Sequence, residues 1–96
     1  MTKALNQLEA LIRESQQITI LYSSSQGILS ERKLNPLALI YTIEGWTLLA
    51  FCHLRKAQRE FRLERIKEIR ELDQFFPPSS TALYRYYQTE GKSDKS

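Results

Sequence analysis

The sequence has few of the residues on which catalytic and metal sites depend. Its 96 residues include one cysteine, Cys52, and one histidine, His53. Neighbouring side chains point to opposite faces of a strand, so these two make a poor nucleophile and base. A structural zinc site needs about four cysteine or histidine ligands, and one cysteine cannot form an internal disulfide. We therefore predict that the protein is not an enzyme and holds no metal or cofactor.

Glycines and long apolar stretches are also scarce. The three glycines, Gly27, Gly45 and Gly91, are isolated, which excludes a glycine-rich phosphate-binding loop. The longest purely apolar stretches, residues 37–41 and 48–52, have five residues each, whereas a membrane span needs roughly 20. The first residues lack the apolar run of a signal peptide. The sequence predicts one cytoplasmic domain with no membrane segment.

Positive charge is concentrated in one segment. Residues 53–70 carry seven basic and three acidic side chains, while the other 78 residues carry seven basic and eight acidic ones. A local basic patch suits an anionic ligand or a nucleic-acid backbone. Charges of mixed sign are also the usual state of a solvated surface. The charge distribution alone leaves both interpretations open.

The first half of the chain indicates one helix followed by strands. Leu5, Leu8, Leu11 and Ile12 recur at helical spacing, which predicts an amphipathic helix over residues 3–14. After the helix, the sequence shows the alternation of side chains that is typical of β-strands, with turn residues between the strand segments. The expected strand segments are residues 18–22, 28–34, 37–42 and 46–53. Pro36 cannot donate to a sheet ladder, so it marks an edge, a bend or a bulge. Short strands at this spacing are typical of a small barrel or sandwich.

The segment from Gln58 to Phe76 fits two patterns. As strands, Phe61 and Leu63 share one face and Ile66 opens a second strand. As a helix, apolar residues recur every three positions, and periodicity slightly favours the helix. Beyond residue 78 we expect a partly disordered tail of residues 79–96. Its tyrosines, Tyr84, Tyr86 and Tyr87, could stack on bases or cover an apolar patch.

Four blocks of sequence, in order, resemble the WYL domain family of bacterial transcription factors. The first is Ile18–Ser23, similar to the opening strand with its tyrosine, and the second is Ser30–Leu37, similar to the strand with arginine and proline. The third is Trp46–Cys52, similar to the signature strand that names the family. The fourth is Gln58–Ile66, similar to the motif R-x-F-R-L-x-R-I. The resemblance covers about residues 17–76.

The resemblance implies a fold and a class of function. The family fold is a small SH3-like, Sm-like β-barrel of about five strands preceded by a helix, so residues 58–65 and 66–73 are expected to be strands. We accordingly assign residues 1–78 to the domain, with its barrel at 17–76. Family members usually follow a winged helix-turn-helix and sense a ligand, most often nucleic acid and particularly single strands. The basic groove implied by the resemblance is lined by Tyr22, Arg32, Trp46, His53, Arg55, Arg59, Phe61, Arg62 and Arg65.

The sequence departs from the family pattern in three places. Thr47 replaces the tyrosine of the name motif, no helix-turn-helix precedes the domain, and the usual carboxy-terminal extension is missing. We therefore expect a stand-alone sensor that binds single-stranded nucleic acid or a nucleotide-like anion. The alternatives are a protein-interaction module and a sensor of a small anionic metabolite. A homodimer and a DNA-binding or effector protein are the expected protein partners.

Overall fold

The fold is one antiparallel sheet with a helix packed against it. The computed structural model describes residues 2–77, except the side chain of Thr2. Its elements are helix α1 (Thr2–Arg13), strands β1 (Gln16–Ser23), β2 (Leu29–Thr42), β3 (Gly45–Cys52) and β4 (Ala57–Arg62), a 3-10 turn (Leu63–Arg65) and strand β5 (Ile66–Phe75). The strand order is β4-β3-β2-β1-β5. The expected mainly β class, with one helix and five strands, is confirmed.

Within residues 2–77 the sheet does not close into a barrel. Strands β4 and β5 are its two edges and do not pair with each other. The small barrel implied by the resemblance is therefore an open, five-stranded antiparallel sheet in the described residues. The two edges are joined instead by the 3-10 turn, which carries the chain from one edge of the sheet to the other. The predicted tail and its tyrosines lie outside the described residues.

Helix α1 forms where the apolar spacing predicts it. Leu8 and Leu11 are buried against the sheet, and Leu5 and Ile12 pack at the margin of the core. The helix ends at Arg13. Two residues later, Ser15 has a left-handed φ of 56°, and its backbone N–H donates to Ile12 O at 3.1 Å. A left-handed residue after the last turn is a common way to end a helix. Burial of one apolar stripe therefore holds α1 on the sheet.

A bulge bends the long strand β2. Pro36 is opposite Ala50 of β3, and the register shifts before Ala38 pairs with Leu49. The segment before Pro36 also pairs with β1, through Leu34 and Ile18. Proline lacks the N–H that a regular ladder needs, so a bulge at this position is expected. The segments predicted at residues 28–34 and 37–42 are thus parts of one bent strand, which pairs with both β1 and β3.

The segment from Gln58 to Phe76, which fits both a strand pattern and a helix pattern, forms two strands with a short turn between them. Strand β4 ends at Arg62, and the 3-10 turn interrupts the alternation at Leu63. The prediction of a continuous strand to residue 65 was therefore wrong. Arg59 and Phe61 share one face of β4, whereas Arg65 lies in the 3-10 turn. Leu63 is nevertheless buried, because the turn folds it back towards the core.

The inner face of the sheet, defined by Ile18, Leu34, Leu48 and Phe61, carries the core. These residues are at most 4% exposed and cluster with Leu8. The register of each strand pair keeps them on one side. On the opposite, outer face, Thr47 is between Ile40 and Arg62 of the neighbouring strands and is 7% exposed. The threonine that departs from the family motif is thus buried outside the main core.

Candidate anion-binding site

Arg32 lies on the inner face of the sheet, which is mostly apolar. It pairs with the buried Ile20 of β1, so its side chain starts from the core side of β2. Its Nε–H donates to Ser30 Oγ at 3.2 Å, and its Nη1 lies 3.9 Å from Cys52 Sγ. These two contacts hold the guanidinium at the margin of the core, with donors left for a ligand.

Arg59 joins the same face from the other side of β3. It pairs with Ala50, two residues before Cys52 and therefore about 6–7 Å along the strand from it. Arg59 is exposed, and no ion pair involves it or Arg32 within residues 2–77. The arginine pair, Arg32 and Arg59, therefore places two unneutralised cations on strands that flank β3.

Cys52 forms the floor beside Arg32. Its side chain is fully buried, as is common for a free cysteine, which packs as a small apolar residue. Burial raises the pKa of the Cys52 thiol, but a backbone hydrogen bond from Arg55 and the guanidinium of Arg32 favour the thiolate and bring the net pKa below its ordinary value. The local field at this end of β3 therefore favours negative charge.

Tyr22 and Phe61 pack against each other across the inner face. Their rings meet edge to face with centroids 5.1 Å apart, and the Tyr22 hydroxyl accepts a hydrogen bond from the Arg62 backbone N–H at 3.0 Å. Phe61 is only 4% exposed. Its ring is therefore engaged in the core, and Tyr22 is the more accessible of the two aromatic side chains.

Arg62 is on the outer face and already has anionic partners. Its guanidinium is 2.6 Å from a Glu64 carboxylate oxygen and 3.5 Å from a Glu44 carboxylate oxygen. It also donates to the Glu44 backbone carbonyl at 3.2 Å. Arg62 thus ties the β2–β3 turn to the end of β4, away from the arginine pair.

His53 is also on the outer face, just after β3. Its Nε2 is 2.8 Å from Asn35 Oδ1, and its ring packs edge-on against Phe51 at 5.6 Å. Burial, followed by the nearby charge of Lys33, lowers the pKa of His53. The imidazole is therefore neutral near pH 7, when its Nε2–H can donate to Asn35.

Trp46 is at the opposite end of β3 from Cys52. They are six positions apart, which is about 20 Å along a strand. The Trp46 ring packs on Tyr41 with centroids 4.9 Å apart and lines a cleft of about 390 Å³ beneath α1. The remaining predicted residues are Arg55, exposed in the β3–β4 turn, and Arg65, half-buried in the 3-10 turn.

The structure therefore divides the predicted set of residues. It brings Arg32, Arg59, Tyr22 and Phe61 to the inner face, and it separates Trp46, His53 and Arg62 from that group. It also adds Ser30 and Cys52, the partners of Arg32, which the sequence analysis did not assign to a site. Ser30 could have been found, because positions two apart share one face of a strand. Cys52 could not have been found from the sequence, because its contact with Arg32 depends on the bulge in β2.

Residues 2–77 contain no group of three or more histidine, cysteine, aspartate or glutamate side chains that could hold a metal ion. Among the same residues, no helix is long and apolar enough to cross a membrane.

The helix and the five-stranded antiparallel sheet define a small, mainly β class of domain. The sequence model of the WYL domain matches residues 3–71. The chain belongs to the WYL domain family.

The chain is similar to part of two larger proteins. The chain is 44% identical over 59 residues to the DNA-binding transcriptional repressor CapW of Pseudomonas aeruginosa, a match that covers 58% of this chain and 19% of that protein. Its fold superposes on proteasome accessory factor B/C (PafBC) of Arthrobacter aurescens with a TM-score of 0.74 and 29% identity. That match covers 85% of this chain and 13% of PafBC. The chain thus spans a fifth or less of either relative.

Proposed function

We propose that this chain is a ligand-sensing regulatory domain that binds single-stranded nucleic acid, or a nucleotide-like anion, through Arg32 and Arg59. The observation that carries the proposal is the position of Arg32. The Arg32 guanidinium lies at the margin of an apolar core, beside a buried thiol and without a carboxylate partner within residues 2–77. Partial desolvation of an unpaired charge costs free energy, and a bound anion would offset that cost.

The chemistry of the arginine pair suits phosphate. A guanidinium donates two parallel hydrogen bonds to a phosphate group, and Ser30 holds the guanidinium of Arg32 through Nε. A pre-positioned side chain loses less rotamer entropy when a ligand binds. Arg59, on the far side of β3, is available to contact a second phosphate.

The aromatic residues favour recognition of the backbone over recognition of bases. Phe61 is buried, and Tyr22 meets it edge-on, so neither supports extensive stacking on a base. Binding is therefore expected to depend weakly on base sequence, since phosphate contacts carry no sequence information directly. Contacts to ligand from Arg55, Arg65, Trp46, His53 and Arg62 remain predictions.

The relatives support a regulatory role. CapW is a DNA-binding repressor, and this chain matches a fifth of its length. We infer that the domain acts in the cytoplasm, without enzymatic activity, by reporting ligand binding to a DNA-binding or effector protein.

Fluorescence anisotropy with labelled single-stranded DNA and RNA tests the proposal. We expect Arg32→Ala and Arg59→Ala each to weaken binding by roughly fivefold to twentyfold, as the loss of one charged hydrogen-bonded contact implies. Arg70→Ala is the matched control, because Arg70 is exposed and pairs with Thr19 on the outer face. No binding at low salt, or equal losses in all three variants, would overturn the proposal.

A further inference from the structure

A cleft of about 390 Å³ lies between α1 and the end of β3 that carries Trp46. This volume is within the range of small-molecule sites, about 300–1,000 Å³. Such sites combine a mostly apolar lining with a small number of polar groups. The cleft has both, and its lining consists of Leu5, Asn6, Glu9, Ile12, Leu39 and Trp46. It is separate from the arginine pair, which lies near the other end of β3.

Four apolar side chains make up most of the lining. Leu5 and Ile12 are seven residues apart in α1, which is about two turns and places them on one side of the helix. Leu39 comes from the inner face of the sheet, where it pairs with Leu48, and Trp46 is two positions before Leu48 on the same face. All four pack at the margin of the core and are only half-buried. The fold therefore leaves apolar surface uncovered within a recess, where a ligand can cover it.

Two polar side chains of α1, Asn6 and Glu9, complete the lining. They are three residues apart and therefore neighbours on the helix surface. Both are exposed, and neither side chain makes a hydrogen bond or an ion pair within residues 2–77. Arg13, four residues after Glu9, is spaced for an ion pair but makes none with the described residues. The Glu9 carboxylate and the Asn6 amide oxygen are therefore available as acceptors beside the apolar lining.

The local charge and the Trp46 ring both favour a cation in the cleft. Residues 2–14 and 37–46, which supply the lining, carry two basic and three acidic side chains, in contrast to the basic segment at residues 53–70. An indole ring attracts a cation over its face. An anion would meet the Glu9 carboxylate, and none of the six lining residues is basic. The cleft is thus chemically opposite to the arginine pair.

We propose that the cleft binds a small amphiphilic amine, that is, an organic ammonium ion with an apolar body. The ammonium group donates hydrogen bonds to the Glu9 carboxylate and to Asn6 Oδ1, and the apolar body packs against the four apolar side chains of the lining. A neutral molecule of the same shape would make the apolar contacts only. The inference goes beyond the proposed nucleic-acid site and does not depend on it.

The exposure of the polar side chains sets the expected affinity. A probe such as 2-phenylethylamine has about nine non-hydrogen atoms, for which ligand efficiency implies a dissociation constant of roughly 0.1–10 mM. Glu9 is exposed, so solvent screens its attraction for the ammonium group. We therefore expect the charge to strengthen binding by only about threefold to fivefold over a neutral molecule of the same shape.

Titration of the full chain with 2-phenylethylamine, followed by Trp46 fluorescence at constant ionic strength, tests the proposal. Trp46 is the only tryptophan, so the signal comes from the cleft. The neutral probe is 2-phenylethanol and the anionic probe is phenylacetate. We expect the amine to bind about threefold to fivefold more tightly than the alcohol, and phenylacetate to bind more weakly than either. Chemical-shift changes in NMR spectra should centre on the lining residues.

The variant Glu9→Gln separates the carboxylate from the rest of the cleft. It should weaken binding of the amine by about threefold to fivefold and leave binding of the alcohol unchanged. Glu14→Gln is the matched control, because Glu14 lines a different recess together with Gln7 and Glu71. Circular dichroism of each variant establishes that it is folded.

Four results would contradict the proposal. The first is no binding of the amine up to about 50 mM, beyond the expected range. The second is equal affinity for the amine and the alcohol, and the third is an equal loss of amine binding in Glu9→Gln and Glu14→Gln. The fourth is a set of chemical-shift changes centred away from the cleft. Loss of nucleic-acid binding in the arginine variants would leave all four outcomes unchanged.

Discussion

Replacing Tyr22 with phenylalanine removes one oxygen atom at a defined place in the fold. The Tyr22 hydroxyl accepts a hydrogen bond from the Arg62 backbone N–H at 3.0 Å, so it ties the end of β1 to the edge strand β4. The ring and its edge-to-face contact with Phe61 remain in the variant. The change in the free energy of unfolding of Tyr22→Phe therefore measures the loss of this hydrogen bond.

The expected loss of stability for Tyr22→Phe is about 1 kcal/mol. A typical intramolecular hydrogen bond contributes about 0.5–1.5 kcal/mol net, and a donor left buried without a partner costs about 1–3 kcal/mol. Arg62 is half-buried, so water can reach its N–H in part, and the lower range applies. For a domain of this size, 1 kcal/mol corresponds to a fall of roughly 4–8 °C in the melting temperature.

Urea unfolding followed by Trp46 fluorescence measures this loss, with thermal unfolding by circular dichroism as a second probe. Tyr41→Phe is the matched control, because Tyr41 is 68% exposed and its hydroxyl makes no hydrogen bond within residues 2–77. The reasoning would be refuted if Tyr22→Phe changed stability by less than about 0.3 kcal/mol, below the effect of losing even a weak hydrogen bond. Equal losses for the two tyrosines would refute it as well.

Two further predictions concern the core and the histidine. Leu48→Ala should lose about 2–4 kcal/mol in urea unfolding through the cavity it leaves, whereas Leu54→Ala, at a site 68% exposed, should lose less than about 0.5 kcal/mol. The lowered pKa of His53 means that the unfolded chain binds its proton more readily. Stability should therefore fall as pH drops from about 6.5 to the folded pKa. His53→Gln should flatten that slope, and a raised pKa in an NMR titration would contradict it.

Much of the fold follows from local patterns. The apolar stripe of α1 and the alternation around Ile18 and Ile20 predict elements that the structure confirms, because burial on one face imposes the period of each element. The small residues after Ser23 form the expected turn, in which Ser24 Oγ accepts hydrogen bonds from two backbone N–H groups. These features need only residues that are close in the sequence.

The secondary structure around Leu63 could not be predicted from local sequence patterns. A leucine at this position is buried in a helix, in a strand and in the observed 3-10 turn, so its hydrophobicity does not distinguish them. The strand β5 forms because it pairs with β1, far away in the sequence, with Ile69 opposite Ile20. The family resemblance carried this long-range information, and single-sequence periodicity did not.

The grouping of the predicted site residues depended on the same long-range information. Arg32 and Cys52 meet because β2 and β3 pair with Leu34 opposite Cys52, and the bulge at Pro36 sets the register beyond that point. Trp46, although it belongs to the signature strand, is at the other end of that strand. The residue types suited to an anion site could be predicted, but not which of them share a surface.

The salt dependence of oligonucleotide binding tests the central claim most directly. For single strands, the slope of log binding constant against log salt changes by about 0.7 for each phosphate contact. If the arginine pair contacts phosphates, Arg32→Ala and Arg59→Ala should each reduce the slope by about 0.7, and the double variant by about 1.4. Arg70→Ala should leave the slope nearly unchanged. Slopes equal to that of the unmodified chain in all the arginine variants would contradict an anion site on the inner face.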